Sequence, residues 1–394
     1  MFRNTQNPSS EKSWLATAAL VFGMVAIAAT ALAQETREEE RAALQAKKAA
    51  ELHPYEPTKL ERRVERIGNL LDPNKGLIYP FIGSVYSGGG FALGVGHTSR
   101  FGDTGQFDAH VARSVRSFQT AEGTLKLPTF ADNRIRVALN ASWLDAPNVA
   151  FYANGNASLK GDRTNLFYKR SAVGVSAKLQ AARFLTVGAG LDAIKMETGP
   201  ADVAFAAAKP FYRKSSAFAE FDWRQSPGYT SRGGLYRVEF SDYRQNNAGA
   251  HSFNRFDAEV QQFLPILREN SVIAFRALAS TTSVAEGESV PYVLLPDLGG
   301  SHTLRGYPSW RFRDRNRVAL TGEYRWKAGH FLDMALFVDA GQVAPRFSSL
   351  DFGDFKKTYG LGMTFHTPVS TVTRIEIART GEGTALVFSF SPSF

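Results

Sequence analysis

The sequence has no cysteine among its 394 residues, so no disulfide framework holds the fold together. Outside residues 14–33 it has no apolar run of helical-span length, which excludes a bundle of membrane helices. It also has no block of lysine and arginine. The 46 basic and 37 acidic residues are spread along the chain for a formal charge of +9, so no nucleic-acid partner is expected and the charge belongs to solvated faces and loops. Seven histidines lie scattered, with no pair at ligand spacing on a shared strand face, so no metal site, cofactor or catalytic chemistry is expected. The Gly-rich "SGGGFALGVGH" at 87–97 lacks a phosphate-loop lysine and a following helix, and reads as a first outer hairpin with its returning strand. Asp257, Glu259, Glu220 and Asp222 imitate an acid/base set, yet fit better as carboxylates of a charged barrel lumen. A composition 44% hydrophobic and 12% aromatic excludes disorder.

What is present begins at the N-terminus. Arg3 and Lys12 precede the apolar "WLATAALVFGMVAIAATALA", whose final "ALA" before Gln34 has the small-x-small form of a signal-peptidase site. Residues 1–33 are expected to be a signal peptide cleaved after Ala33; a retained transmembrane anchor is the competing reading, since about 20 apolar residues span a bilayer. Residues 34–75 contain "QETREEERAALQAKKAAEL", strong helix formers with Glu ahead of Arg and Lys at helical spacing. This charged periplasmic segment is either a helical plug or docking arm or a polar linker, and it is too short for a substantial folded domain.

From residue 76 to Phe394 the hydrophobic period becomes two. In "TYGLGMTFH", Tyr359, Leu361, Met363 and Phe365 share one face and Thr358, Gly360, Gly362, Thr364 and His366 the other. "RVALTGEYRW" sets Val318, Leu320, Tyr324 and Trp326 against Arg317, Thr321, Glu323 and Arg325. "FLDMALFVDAG" sets Leu332, Met334, Leu336 and Val338 against Asp333, Phe337 and Asp339. The pattern recurs around 184–194, 217–224, 234–243 and 253–264, giving about sixteen segments in all. A soluble sandwich or barrel and an outer-membrane barrel both produce such alternation. Segments of about ten residues, short connections such as "KAGH" and "TPVS" alternating with long ones at 144–163 and 281–316, and the export signal favour the membrane. The expected fold is all-β: a 16-stranded antiparallel transmembrane β-barrel over residues 76–394, in the bacterial outer membrane and in contact with its lipid.

"DLGGSHTLRGYPSWRF" at 297–312, followed by "GEYRW" at 322–326 and "FVDAG" at 337–341, resembles the loop-six signature and the two strands after it in the BamA/TamA family of outer-membrane assembly factors, the bacterial surface antigen superfamily. The core of the motif is Arg305-Gly306-Tyr307. The resemblance implies that the loop folds back into the lumen, where Arg305 meets Asp339, with Glu323 a second candidate. A guanidinium binds a carboxylate through a planar fork, and Gly306 lets the chain turn where a side chain would collide. Arg311, Arg313 and Arg315 are expected to meet only water or lipid headgroups.

Typical members carry polypeptide-transport-associated domains ahead of the barrel, and this sequence reads as a short, barrel-only form. The implied function is insertion of outer-membrane proteins, or translocation of a substrate, with unfolded clients and periplasmic accessory proteins as partners; the alternative is a passive pore or structural barrel. Closure is expected to pair the first strand, near Leu77–Ser84, with the last, Thr384–Phe394. Each carries a proline, Pro80 and Pro392, that cannot donate a ladder hydrogen bond. The last strand presents Leu386, Phe388 and Phe390 two apart and ends at the aromatic Phe394.

Overall fold

A computed structural model describes residues 78–199, 208–266 and 270–394. The expected signal peptide and the charged segment at 34–75 lie outside the described residues. Eighteen strands follow in chain order: β1 (Ile78–Gly83), β2 (Ala92–Phe101), β3 (Gly105–Ser114), β4 (Gln119–Lys126), β5 (Ile135–Phe151), β6 (Thr164–Gln180), β7 (Leu185–Gly199), β8 (Phe211–Asp222), β9 (Gly233–Gln245), β10 (Phe253–Ile266), β11 (Ser271–Ser283), β12 (Asp297–Leu298), β13 (Phe312–Arg313), β14 (Asn316–Lys327), β15 (Leu332–Ala344), β16 (Lys356–His366), β17 (Thr371–Thr380) and β18 (Gly383–Ser389). Sixteen of them form one antiparallel sheet in sequence order, with β11 beside β14; β12 and β13 pair only with each other, inside the connection between those two strands. No described helix is long and apolar enough to cross a membrane.

The side-chain period of a strand sorts the residues. On β15, Val338 is 55% exposed and its neighbour Asp339 is fully buried. On β16, Tyr359 is 62% exposed and Thr358 is fully buried. The exposed row is apolar and the enclosed row polar, the arrangement of a barrel whose outer surface meets hydrocarbon. Lumen charges pair across and along strands: Arg237 with Glu220 and Glu239, Arg276 with Glu259, Arg255 with Asp257, and Arg224 with Asp222.

The connections differ from expectation at one place. β5 and β6 each run for 17 residues, so 144–151 continues β5 beyond the bilayer and the loop is shortened to 152–163. Phe118, Leu144, Tyr168, Tyr212, Tyr292 and Trp310 cluster inside this outer half, which gives the extended strands an apolar body to pack on.

At the end of the barrel where β1 begins and β18 finishes, the turn between β8 and β9 acts as a strap. The Gly228 carbonyl accepts from Thr371 N at 2.8 Å, and the Ser226 hydroxyl donates to Val369 O at 3.0 Å. Tyr229 stacks on His366 with ring centres 3.8 Å apart and donates to Asp333 Oδ2 at 2.7 Å. β9, β10, β11, β14, β15 and β16 separate this turn from the one it binds, so the segment spans the periplasmic mouth. Gly228 makes the approach possible, since a Cβ there would lie 2.4 Å from Val369 O.

Candidate functional site

The long connection from 284 to 315, the sixth on the outer side, descends into the lumen. Its path depends on glycine: Gly299, Gly300 and Gly306 have φ of +118°, +82° and +87°, a region that side chains disfavour. Gly306 has a second reason to lack a side chain. Its Cβ would lie 2.8 Å from Ala378 Cβ and 2.9 Å from Thr380 Cγ2 on the β17 wall.

That close approach delivers Arg305 to three carboxylates. Its Nε and Nη2 donate to Asp339 Oδ2 and Oδ1 at 2.9 and 2.7 Å, a bidentate fork, and its backbone N–H adds a third bond to Asp339 Oδ2 at 3.1 Å. Nη1 donates to Glu323 Oε1 and, at 2.9 Å, to Glu376 Oε1. The guanidinium lies 3.5 Å above the Phe337 ring, which explains why that apolar residue occupies the polar face of β15: its π-face supports a cation. Arg305 is 2% exposed. Burial alone would lower its pKa, but Glu323 and Asp339 outweigh that penalty and hold the group charged well above the ordinary arginine value.

Two further arginines complete the cluster. Arg325 Nε donates to the other Glu323 oxygen at 2.6 Å, and Arg374 Nη1 to Glu376 Oε1 at 3.2 Å. Three guanidinium groups thus face three carboxylates, and the buried set carries no net formal charge. Sequence reasoning missed Glu376 and Arg374, although "TVTRIEIART" places both on the polar face of β17 by parity.

Tyr307 is buried, packs edge-on against Phe312 at 5.3 Å, and accepts from the Gly381 N–H at 3.3 Å. Arg311 and Arg313 contradict the expectation of solvated arginines, being 2% and 0% exposed. Arg311 Nε binds Glu382 at 2.7 Å and its other nitrogens bind Ser158. Arg313 lies 3.8 Å from the Trp310 ring and 4.8 Å from that of Tyr292, and donates to Tyr292 O. The loop turns these side chains into the barrel mouth, where aromatic faces and carbonyls replace water. Arg315, half-buried, is the one of the three whose side chain makes no hydrogen bond or close ion pair among the described residues.

The seam also departs from expectation. Every neighbouring pair from β1 to β18 is joined by a ladder, but among the described residues none joins β18 to β1. A space of about 1210 Å³ lies there, lined by Ile82, Phe388, Phe390, Arg116 and loop-six residues. β1 is secured from its other side, where Tyr79 covers Gly96 and donates to Asp108 at 3.0 Å. Pro80, exposed on this edge strand, is in register with Val95.

β18 ends at Ser389 rather than at the terminus. Leu386 and Phe388 face outward. Phe390 lies beyond the strand, against Phe91 at 5.9 Å, and Pro392 follows in a tail that turns inward. Arg374 Nε holds Ser391 O at 2.9 Å, and the Ser393 hydroxyl lies between Arg325 and Glu323. Phe394 stacks on Phe263 at 5.5 Å with Arg325 5.1 Å from its ring. The terminal aromatic therefore occupies the lumen floor, because polar anchors on β14 and β17 satisfy a backbone that Pro392 removes from the sheet.

An Omp85 superfamily domain model matches residues 101–392. The chain belongs to the Omp85 superfamily. Solved structures similar to this Omp85 barrel include BamA from Haemophilus ducreyi lacking POTRA domains 1–3, with 15% identity, a TM-score of 0.61, and coverage of 83% of this chain and 77% of that one. CdiB from Escherichia coli is similar at 12% identity and a TM-score of 0.53, over 80% of this chain and 59% of its own. CdiB from Acinetobacter baumannii gives 12%, 0.51, 79% and 58%. At these identities the likeness is one of fold. The Omp85 chain spans less than two thirds of either CdiB. No curated protein sequence matches it. The strand count, the apolar outer face and the superfamily assign the protein to the bacterial outer membrane.

Proposed function

We propose that this Omp85 barrel inserts proteins into the outer membrane, or passes them through it, by opening laterally at the β1–β18 seam. The observation that carries the reading is the absent ladder between these two strands in a sheet otherwise paired throughout. An unpaired edge presents a row of N–H and C=O groups on which an incoming strand can form. Unfolded outer-membrane proteins, whose strands need such partners before entering hydrocarbon, are the clients this chemistry fits. In this reading Arg305, Asp339, Glu323 and Glu376 bolt loop six to β14, β15 and β17, so that opening falls on the β1 side. Gly306 and Tyr307 set the approach of the loop to the β17 wall. Phe388, Phe390 and the inward tail ending at Phe394 shape the movable edge, and Pro80 and Pro392 limit its hydrogen bonding.

The test uses the lack of native cysteine. Cysteines at Ile82 and Phe388, both at the seam space, are bridged by a short bis-thiol reagent in proteoliposomes, and insertion of an unfolded client barrel is followed by protease protection. Insertion should stop when the bridge forms and return when a cleavable bridge is cut. Full insertion with a completely bridged seam would overturn the proposal.

A further inference from the structure

The outer rim holds a second crevice, whose lining includes none of the seam residues Ile82, Phe388 and Phe390. The β5–β6 loop reaches over loop six to the β15–β16 connection: Ser158 receives Arg311 of loop six through both its hydroxyl and its carbonyl, and Asn156 Nδ2 donates to Asp354 O, between β15 and β16, at 2.8 Å. Between this loop and the rim of β16 and β17 lies a cavity of about 700 Å³. Its walls contain Lys160, Lys356, Lys357, Arg379 and Arg311, with Glu382 as the one carboxylate among the lining residues. Arg311 already engages that carboxylate at 2.7 Å. Among the described residues, no ion pair engages Lys160, Lys356, Lys357 or Arg379. Arg379 donates to the Thr384 hydroxyl at 3.1 Å, and Lys356 lies 5.4 Å from the Phe312 ring; both contacts leave the charge uncompensated.

Position indicates what compensates it. Lys357 continues the outward row of Tyr359, Leu361 and Met363, and Arg379 continues that of Ile377. The two rows are adjacent, with Tyr359 opposite Arg379 and Leu361 opposite Ile377 in the ladder. Leu361 and Ile377 are 43% and 55% exposed on the hydrocarbon-facing surface. The cations therefore cap an apolar stripe at the level where outer-leaflet headgroups lie, with Tyr359 at the boundary, as interfacial aromatics are placed. An amphiphile with an anionic head and acyl chains complements both parts at once.

We propose that this crevice binds the phosphate-bearing headgroup of an outer-leaflet lipid, with its acyl chains along Leu361 and Ile377. Lys and Arg supply charge-assisted hydrogen bonds to phosphate oxygens, and the ligand relieves the mutual repulsion of four like charges. The test is native mass spectrometry of the full chain in detergent, titrated with bisphosphorylated lipid A and with the same lipid after enzymatic removal of its phosphates. The phosphorylated form should bind more tightly. Lys357→Gln with Arg379→Gln should weaken it about twenty-five-fold, at roughly fivefold for each cation near the membrane surface. Lys357→Arg with Arg379→Lys should retain binding. Lys160→Gln, a loop change away from the strands, should weaken it by a smaller factor and provides a second reading if the double variant folds poorly. Equal binding of the dephosphorylated lipid, or unchanged affinity in both Gln variants, would overturn the site. Displacement by millimolar inorganic phosphate would mean that the crevice takes a free anion, and would overturn the lipid assignment.

Discussion

At the scale of the residue, Arg305 governs a neutral set of three guanidinium groups and three carboxylates with almost no access to water. Removing it leaves one excess negative charge among Asp339, Glu323 and Glu376, none more than 4% exposed. Arg305→Ala should therefore cost roughly 3–5 kcal/mol, and Arg305→Lys should recover little, because one ammonium cannot span three carboxylates in a fork. Unfolding of Arg305→Ala, Asp339→Ala and their combination in urea checks the coupling: the double variant should lose clearly less than the sum of the singles, and additive losses would refute the pair. His302, on the same loop, provides a pH test. Its ring is reached by lumen water, yet enclosure by the barrel, followed by the charges of Arg374 and Arg276, lowers its pKa to about 4. The folded state then binds its proton more weakly than the unfolded chain. The docked loop should keep its full stability above the ordinary histidine pKa of about 6.5 and lose some as pH falls from there toward 4. The imidazole resonances followed by NMR should show the depressed midpoint, and a midpoint near 6.5 would contradict it.

At the scale of the element, the strap shows what alternation along a sequence does not reveal. Period-two patterning located the strands around 184–194, 217–224, 234–243 and 253–264, which match β7 to β10, because each strand must present one face to lipid and the other to the lumen. The Arg305 partners Asp339 and Glu323 were legible through the resemblance and through parity. Glu376 had the correct parity but no motif to single it out. No local pattern marks Tyr229 as a partner of Asp333 and His366, since that contact depends on how a turn folds across the mouth. Nor did composition separate Arg311 and Arg313, enclosed by Ser158, Trp310 and Tyr292, from arginines in water. Tyr229 is held neutral, its pKa raised by burial and by the bond to Asp333, so it remains a donor at physiological pH. Tyr229→Phe removes that donor and leaves Asp333, 6% exposed, with His366 as its remaining partner. The net loss expected is about 1–2 kcal/mol, confined to the strap. Hydrogen exchange should detect it as faster exchange of the Thr371 amide, which donates to Gly228, with the barrel ladders unchanged; equal protection in both proteins would show that the tyrosine does not hold the strap.

At the scale of the whole molecule, three segments among the described residues enter or cross the lumen: loop six from the outer side, the strap at the periplasmic mouth, and the tail that brings Phe394 onto Phe263. Each is fixed to the wall by charged or polar side chains, which loop six supplements with apolar packing of Leu298, Leu304 and Phe312 against Ala319 and Val343, in a barrel whose outer apolar surface is spent on lipid. The passive-pore reading requires a free path for ions through this interior, and the insertase reading requires none. In planar bilayers the wild-type barrel should therefore conduct weakly. Arg305→Ala should increase the conductance and produce intermittent openings, since the loop then loses the Arg305 side-chain bonds to Glu323, Asp339 and Glu376 on β14, β15 and β17 while its outer end stays held by Arg311 and Arg313. Strong, steady conductance in the wild-type chain, unchanged by Arg305→Ala, would mean that ions bypass loop six altogether. Combined with no client insertion by the unbridged barrel, that result would identify the protein as a pore, because neither the unpaired edge nor the bolted loop would then have a role in its transport.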